Sequence, residues 1–175
     1  MKKIILILSL MLLSFSSFSA ETRSSRNDEE CRFVASQIGG ICENGWAYAI
    51  KKDELRDTQD YRALLLNEKS SRLNRNDIAV LVVHSEDNKK MRGASLDLNN
   101  DTFVCEAKKV CSGLIRINDG EIFVFYYFTL PDDNHIAYFK ANPFKKAQKI
   151  VIEIPTKENK KRQFVFYAGD IKWSN

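Results

Sequence analysis

Gly45-Trp46-Ala47-Tyr48-Ala49-Ile50-Lys51 is the stretch that decides the fold. Trp46, Tyr48 and Ile50 alternate with Ala47, Ala49 and Lys51, and a period of two belongs to a strand, not to a helix. The same rhythm recurs outward from it. Tyr61 to Leu66, the β-branched run Ile78 to His84, and Met91 to Leu98 follow. Thr102 to Cys105 and Cys111 to Ile115 read as the two arms of a hairpin, and Leu114, Ile115 and Ile117 lead to the turn Asn118-Asp119-Gly120. Ile122 to Leu130 is the most apolar strand, ended by Pro131 to Asn134, and Ile136 to Phe139 is short. Ile150, Ile152 and Ile154 alternate within Lys149 to Ile154, and Phe164 to Ala168, with Ile171 and Trp173, closes the chain.

About ten short strands with polar turns predict a mainly β fold: a single antiparallel β-sandwich or partly closed barrel. A short N-terminal helix is expected over Asp28 to Gln37, capped by Asn27 or Asp28 and stopped by Gly39-Gly40, with Phe33, Val34 and Ile38 toward the core. Asn142-Pro143 is expected to open a helical turn running to Gln148. No linker rich in Pro, Gly or Ser interrupts this pattern, so residues 21–175 read as one domain.

The N-terminus has the layout of an export signal. Met1-Lys2-Lys3 is followed by ten residues, Ile4 to Leu13, that are apolar except for Ser9, and then by small residues up to Ala20. Cleavage after Ser19 leaves Ser17 and Ser19 at the two recognition positions; cleavage after Ala20 puts bulky Phe18 at one of them. A membrane span needs about 20 apolar residues, so a removed signal over residues 1–20 is the expectation. No membrane span then remains, and the destination is the periplasm or the medium. The first cysteine, Cys31, follows Asp28-Glu29-Glu30, which is not the setting of a lipid anchor.

Four cysteines, Cys31, Cys42, Cys105 and Cys111, agree with export. Of the three possible pairings, Cys31–Cys42 and Cys105–Cys111 is expected because it closes two short loops. Their spacing does not resemble paired metal knuckles, and neither histidine is near.

The full chain has 27 basic and 23 acidic residues; without Lys2 and Lys3 the balance is +2, which gives no compositional case for nucleic-acid binding. The charge is unevenly spread. Residues 140–162 hold eight basic residues, among them Lys145, Lys146, Lys149, Lys160, Lys161 and Arg162, against two glutamates. Residues 21–139 sum to −4. A basic segment suits an acidic partner, though an exposed turn has the same composition.

No catalytic motif stands out. His84 ends a strand and His135 lies in a loop; Asp132 and Asp133 are near His135 in sequence, but a polar loop has that composition anyway. G-x-S-x-G, H-E-x-x-H and a P-loop are absent. Asp97, Asn99 and Asp101 copy the opening of a calcium loop, but Thr102 stands where glycine is needed and Lys108 where the bidentate glutamate belongs, so no metal and no cofactor are expected. Ile122 to Phe128 is apolar in both alternating rows. Either the strand is central and covered on both sides, which is the expectation, or the row Phe123, Phe125, Tyr127 lies open as a partner site.

The C-terminal half carries a further pattern: Phe103-x-Cys105, Cys111, Leu114 to Gly120, Phe144-x-x-Ala147-x-Lys149-Ile150-Val151-Ile152-Glu153, Phe164-x-Phe166 and Asp170-Ile171-Lys172-Trp173, with Trp46 and Asp53-Glu54-Leu55 upstream. It resembles a broad group of uncharacterised exported bacterial proteins and is distantly similar to VasI-type proteins associated with type VI secretion. The resemblance covers roughly residues 42 to 173. It implies a small exported β-rich domain without a known enzymatic site. The expected function is a non-enzymatic protein-binding domain, an accessory or immunity-like factor whose partner is another envelope or secreted protein. The alternatives are a hydrolase of an envelope polymer with carboxylates assembled by the fold, and a small-ligand carrier.

Overall fold

In the computed structural model the described residues are 28–68, 78–87, 90–106, 109–140 and 144–172. The signal segment 1–20, the Asn27 cap, Asn142-Pro143 and Trp173 lie outside them. A helix, α1, runs through residues 28–38. Ten strands follow: β1 Ile41–Glu43, β2 Trp46–Asp53, β3 Thr58–Leu66, β4 Ala79–Ser85, β5 Gly93–Leu98, β6 Cys111–Ile117, β7 Ile122–Leu130, β8 Asp133–Phe139, β9 Lys149–Ile154 and β10 Arg162–Tyr167. They form one sheet in the order β1-β2-β3-β4-β5-β8-β7-β6-β9-β10. All its pairings are antiparallel.

The alternation places one row of each strand inside. Ala79, Leu81, Val83 and Ser85 of β4 are buried, as are Ile150, Ile152 and Ile154 of β9 and Phe164 and Phe166 of β10. Trp46 of β2 joins them in one core with Leu65, Leu96 and Tyr127. Such a core needs the sheet to curl. The two ends of the sheet meet where the Glu68 amide donates to the Val165 carbonyl and the Gly169 amide to the Asn44 carbonyl. Trp46 Nε1 donates to the Gly169 carbonyl at 2.9 Å. The edge strands β1 and β10 do not pair, so the sheet is a curled wall left open.

Both disulfides form as expected, Cys31–Cys42 and Cys105–Cys111. The first pins α1 to the outer face of β2 and β3, where Cys31 and Ala35 pack on Ala47 with Val34, Cys42 and Leu64 around them. That fixes the helix face differently from the expectation. Val34 does turn inward, but Phe33 and Ile38 are exposed, because the packed face is the one holding Cys31 and Ala35 one turn apart. Gly39, at φ 64°, ends the helix.

The second disulfide closes without the hairpin expected for it. Thr102 to Cys105 is not a strand; only Phe103 bridges, to Thr156. The partners of β6 are β7 and β9 instead. β1 is absent from the sequence pattern, yet Asn44-Gly45 marks it: both residues have positive φ (52° and 79°), the two-residue turn that asparagine–glycine favours. Phe144–Lys146 is a single 3₁₀ turn whose buried Phe144 meets Phe139. Among the described residues no helix is long and apolar enough to cross a membrane.

Candidate functional site

β7 is central in the sheet but is not covered on both sides. Its inward row is Phe123, Phe125 and Tyr127, since Tyr127 pairs with buried Phe139 of β8. Tyr127 is 1% exposed, Phe125 is half-buried and tilted against Phe139 at 5.0 Å, and Phe123 is 54% exposed at the mouth of the curl. Gly113 of β6 makes room for Phe125: a Cβ there would stand 2.6 Å from the ring. The open row is the opposite one. Val124, Tyr126, Phe128 and Leu130 face outward and all are exposed, Tyr126 by 67%. Tyr138 of β8 stacks on Phe128 at 5.5 Å. The sequence named the wrong row because a strand apolar on both faces carries no inward–outward contrast.

β8 ends at Phe139, opposite Tyr127, so among the described residues 122–126 of β7 pair with β6 alone. At the Tyr126 end of this overhang opens a cleft of about 1390 Å³, between β7 and the β2–β3 hairpin. Tyr126, Phe128 and Tyr138 form its apolar side. Its charged residues are Lys51, Arg56, Arg62, Arg92 and Lys140 against Asp57, Asp60 and Glu86. Arg62 Nε is 2.7 Å from Asp60 Oδ2, and Arg92 pairs with Glu86. Tyr127 lines the cleft's inner end, and its hydroxyl is buried without a hydrogen-bond partner among the described residues.

One wall of the cleft carries an arrangement that sequence spacing hides. His84 Nδ1 stands 3.5 Å from Asp60 Oδ1, and its Nε2 is 3.2 Å from Ser95 Oγ. Adjacent strands β3, β4 and β5 supply the three residues, and cross-strand diagonals bring them together. The order Asp-His-Ser is that of an acyl-transfer triad. Burial, and after it the charges of Arg62 and Arg92 against the opposing pull of Asp60, lowers the His84 pKa, so the neutral ring is favoured. Ser95, however, is 5% exposed in mid-strand, its backbone paired on both sides with Val82 and Tyr138. A nucleophile there has no approach for a substrate carbonyl. With both ring nitrogens engaged, the trio clamps three strands.

The basic run of the sequence does not make one patch. Lys145 and Lys146 sit on the 3₁₀ turn, and Lys149 lies 3.8 Å from Asp119 and 6.0 Å over Tyr167. Lys157, Lys160 and Lys161 lie beyond the other end of the β9–β10 hairpin, roughly 17 Å away by strand rise. Arg162 faces inward. Its guanidinium is 2.7 Å from Asp101 Oδ2, the side chains 14% and 2% exposed. The Thr102 amide donates to the other carboxylate oxygen of Asp101 at 2.7 Å. Burial alone would raise this carboxyl; hydrogen bonds from Thr156, the Thr102 amide, Arg162 and the Glu158 amide outweigh it and hold the pKa below the usual range. Asp97 lies apart, on the outer row of β5, its pKa raised by burial and by the charge of Asp133. Among the described residues no group of three or more His, Cys, Asp or Glu is placed to hold a metal.

No protein-family model matches the chain, and neither a curated protein nor a solved structure matches it.

Proposed function

We propose that the chain is a non-enzymatic protein-binding domain of the periplasm or the medium, an accessory or immunity-like factor of the envelope. The observation that carries this reading is the outer row of β7. Val124, Tyr126, Phe128 and Leu130 are four exposed apolar residues in line on a central strand, and contiguous apolar surface of that kind marks interaction sites. Tyrosine and phenylalanine supply rigid contact area at small entropic cost. Two disulfides fit a protein that works in an oxidising compartment. A hydrolase draws less support. In the cleft, Asp60 and Glu86 are each paired with an arginine, and the His84 trio offers no accessible nucleophile.

The test is affinity capture from an envelope extract with the purified chain, the double variant Tyr126→Ser/Phe128→Ser, and a control with Lys157, Lys160 and Lys161 changed to Ser. Native chain and control should capture the same species. The double variant should lose them, since interface aromatics of this type are each worth about 2 kcal/mol or more, roughly 30-fold in affinity. Retention of the same species by the double variant refutes the reading.

A further inference from the structure

We propose that the free edge of β7 along Ile122–Tyr126 receives an extended, acidic segment of another protein as an added strand, whose end beside Tyr126 enters the cleft between β7 and the β2–β3 hairpin. This rests on the binding reading above and adds to it the mode of recognition and the chemistry of the partner.

The backbone makes the first argument. On one side residues 122–126 pair with β6; on the other, pairing with β8 starts only at Tyr127. Over these five residues, roughly 16 Å of strand, every second residue thus presents an unpaired amide and carbonyl on that side among the described residues. Such an edge is a template for another strand, and proteins ordinarily guard it with lysine, proline or a bulge. Here the edge is Ile122-Phe123-Val124-Phe125-Tyr126, without a charge, and four of its five side chains are exposed. Main-chain pairing would supply affinity, while alternate side chains of the incoming strand would meet Tyr126 on the outside and Phe125 at the mouth.

Shape and charge choose the occupant. The gap is walled on its far side by residues 56–62 of the β2–β3 hairpin. A single extended chain needs only one strand spacing, about 4.8 Å, beside β7, whereas a second folded copy would meet that wall. The cleft holds five basic against three acidic side chains. Two acids are already paired with arginines, and Lys51 and Lys140 make no ion pair among the described residues. Two copies would therefore oppose like charge, and an acidic segment would be attracted.

The probe is a capped hexapeptide alternating Glu and Val, compared with a Lys-Val counterpart and with the Glu-Val peptide N-methylated at alternate residues. Amide exchange of residues 122–126 and calorimetric titration are followed on the full chain. The Glu-Val peptide should slow exchange of at least two of these amides about tenfold or more, and both other peptides should bind at least tenfold more weakly. Lys51→Glu/Lys140→Glu, two exposed positions, should reverse the preference between Glu-Val and Lys-Val. Absence of exchange protection at ~1 mM peptide, the limit of weak specific binding, overturns strand addition. So does an unchanged preference in the charge-reversed variant, or a β7-paired dimer in sedimentation. If the peptide perturbs only Tyr126 and Phe128 side chains, strand addition fails and the binding domain stands. If Tyr126→Ser/Phe128→Ser keeps its captured species, the binding reading itself fails.

Discussion

Replacing Arg162 with Met should destabilise the fold by about 3 kcal/mol at pH 7, because it strands a buried carboxylate. Asp101 is 2% exposed, between the end of β5 and the Phe103–Thr156 bridge. Without Arg162 its charge keeps the Thr102, Thr156 and Glu158 hydrogen bonds but loses the buried guanidinium that balances it. The reverse change, Asp101→Asn, should cost less. Arg162 is 14% exposed and has Glu158 3.9 Å away, and the amide still accepts from Thr102. The assay is urea unfolding followed by fluorescence of buried Trp46. With a slope of about 2 kcal/mol per molar, the midpoint of Arg162→Met should drop by about 1.5 M. The pH dependence separates this account from simple loss of packing. In the native chain the Asp101 pKa is depressed, so its contribution is present above the ordinary carboxylate range and is lost as pH falls through the folded value. In Arg162→Met burial dominates and the carboxyl rises, so the folded variant takes up its proton early. The gap between the two proteins should therefore narrow steadily from pH 7 to about 4. A penalty below about 1 kcal/mol at pH 7, or one that does not change with pH, refutes the reasoning.

Three further outcomes follow from single features. Opening either disulfide with paired Cys→Ser changes should lower stability by roughly 2–3 kcal/mol, since the bridged cysteines are 11 and 6 residues apart, as measured by thermal or urea unfolding; an unchanged midpoint contradicts a structural role. Tyr127→Phe removes a buried hydroxyl that has no partner and should raise the unfolding free energy by about 1 kcal/mol, whereas a loss of stability would mean that the hydroxyl is bonded. His84 has a lowered pKa, so its neutral form stabilises the fold above the ordinary histidine range, and that contribution is lost as pH falls below 6.5. His84→Gln should flatten the stability curve between about pH 7 and 5, and a parallel curve would show that His84 titrates alike in both states.

Alternation was legible wherever one row is apolar and the other polar. Ile150, Ile152 and Ile154 against Lys149 and Glu153 located β9 and its buried row correctly. The short disulfide loops were legible because chain connectivity limits the pairing. What stayed hidden was non-local. Cys105 is bridged to Cys111, yet its segment sends Phe103 into the core and meets Thr156 through it, a contact across 53 positions that no local pattern carries. The Asp60–His84–Ser95 chain depends on the β3–β4 and β4–β5 registers together. The lysines of 140–162 look like one cluster in sequence, but the β9–β10 hairpin separates them end from end and turns Arg162 inward.

β7 shows where period-two reasoning reaches its limit and what replaces it. Its rows Phe123-Phe125-Tyr127 and Val124-Tyr126-Phe128 are equally apolar, so hydrophobicity assigns neither to the core. The register with β8 assigns it, because Tyr127 opposite Phe139 must share that residue's inward face. Once that row is inside, the other is committed to the outside, and among the described residues the early end of β8 leaves the first five residues open along their edge as well. An uncharged strand open on its outer face and its edge gains stability from any partner that supplies backbone bonds and apolar area together. A flat surface supplies only the area, whereas an added strand supplies both. The proposed strand addition therefore rests on the length of β8 rather than on the composition of β7.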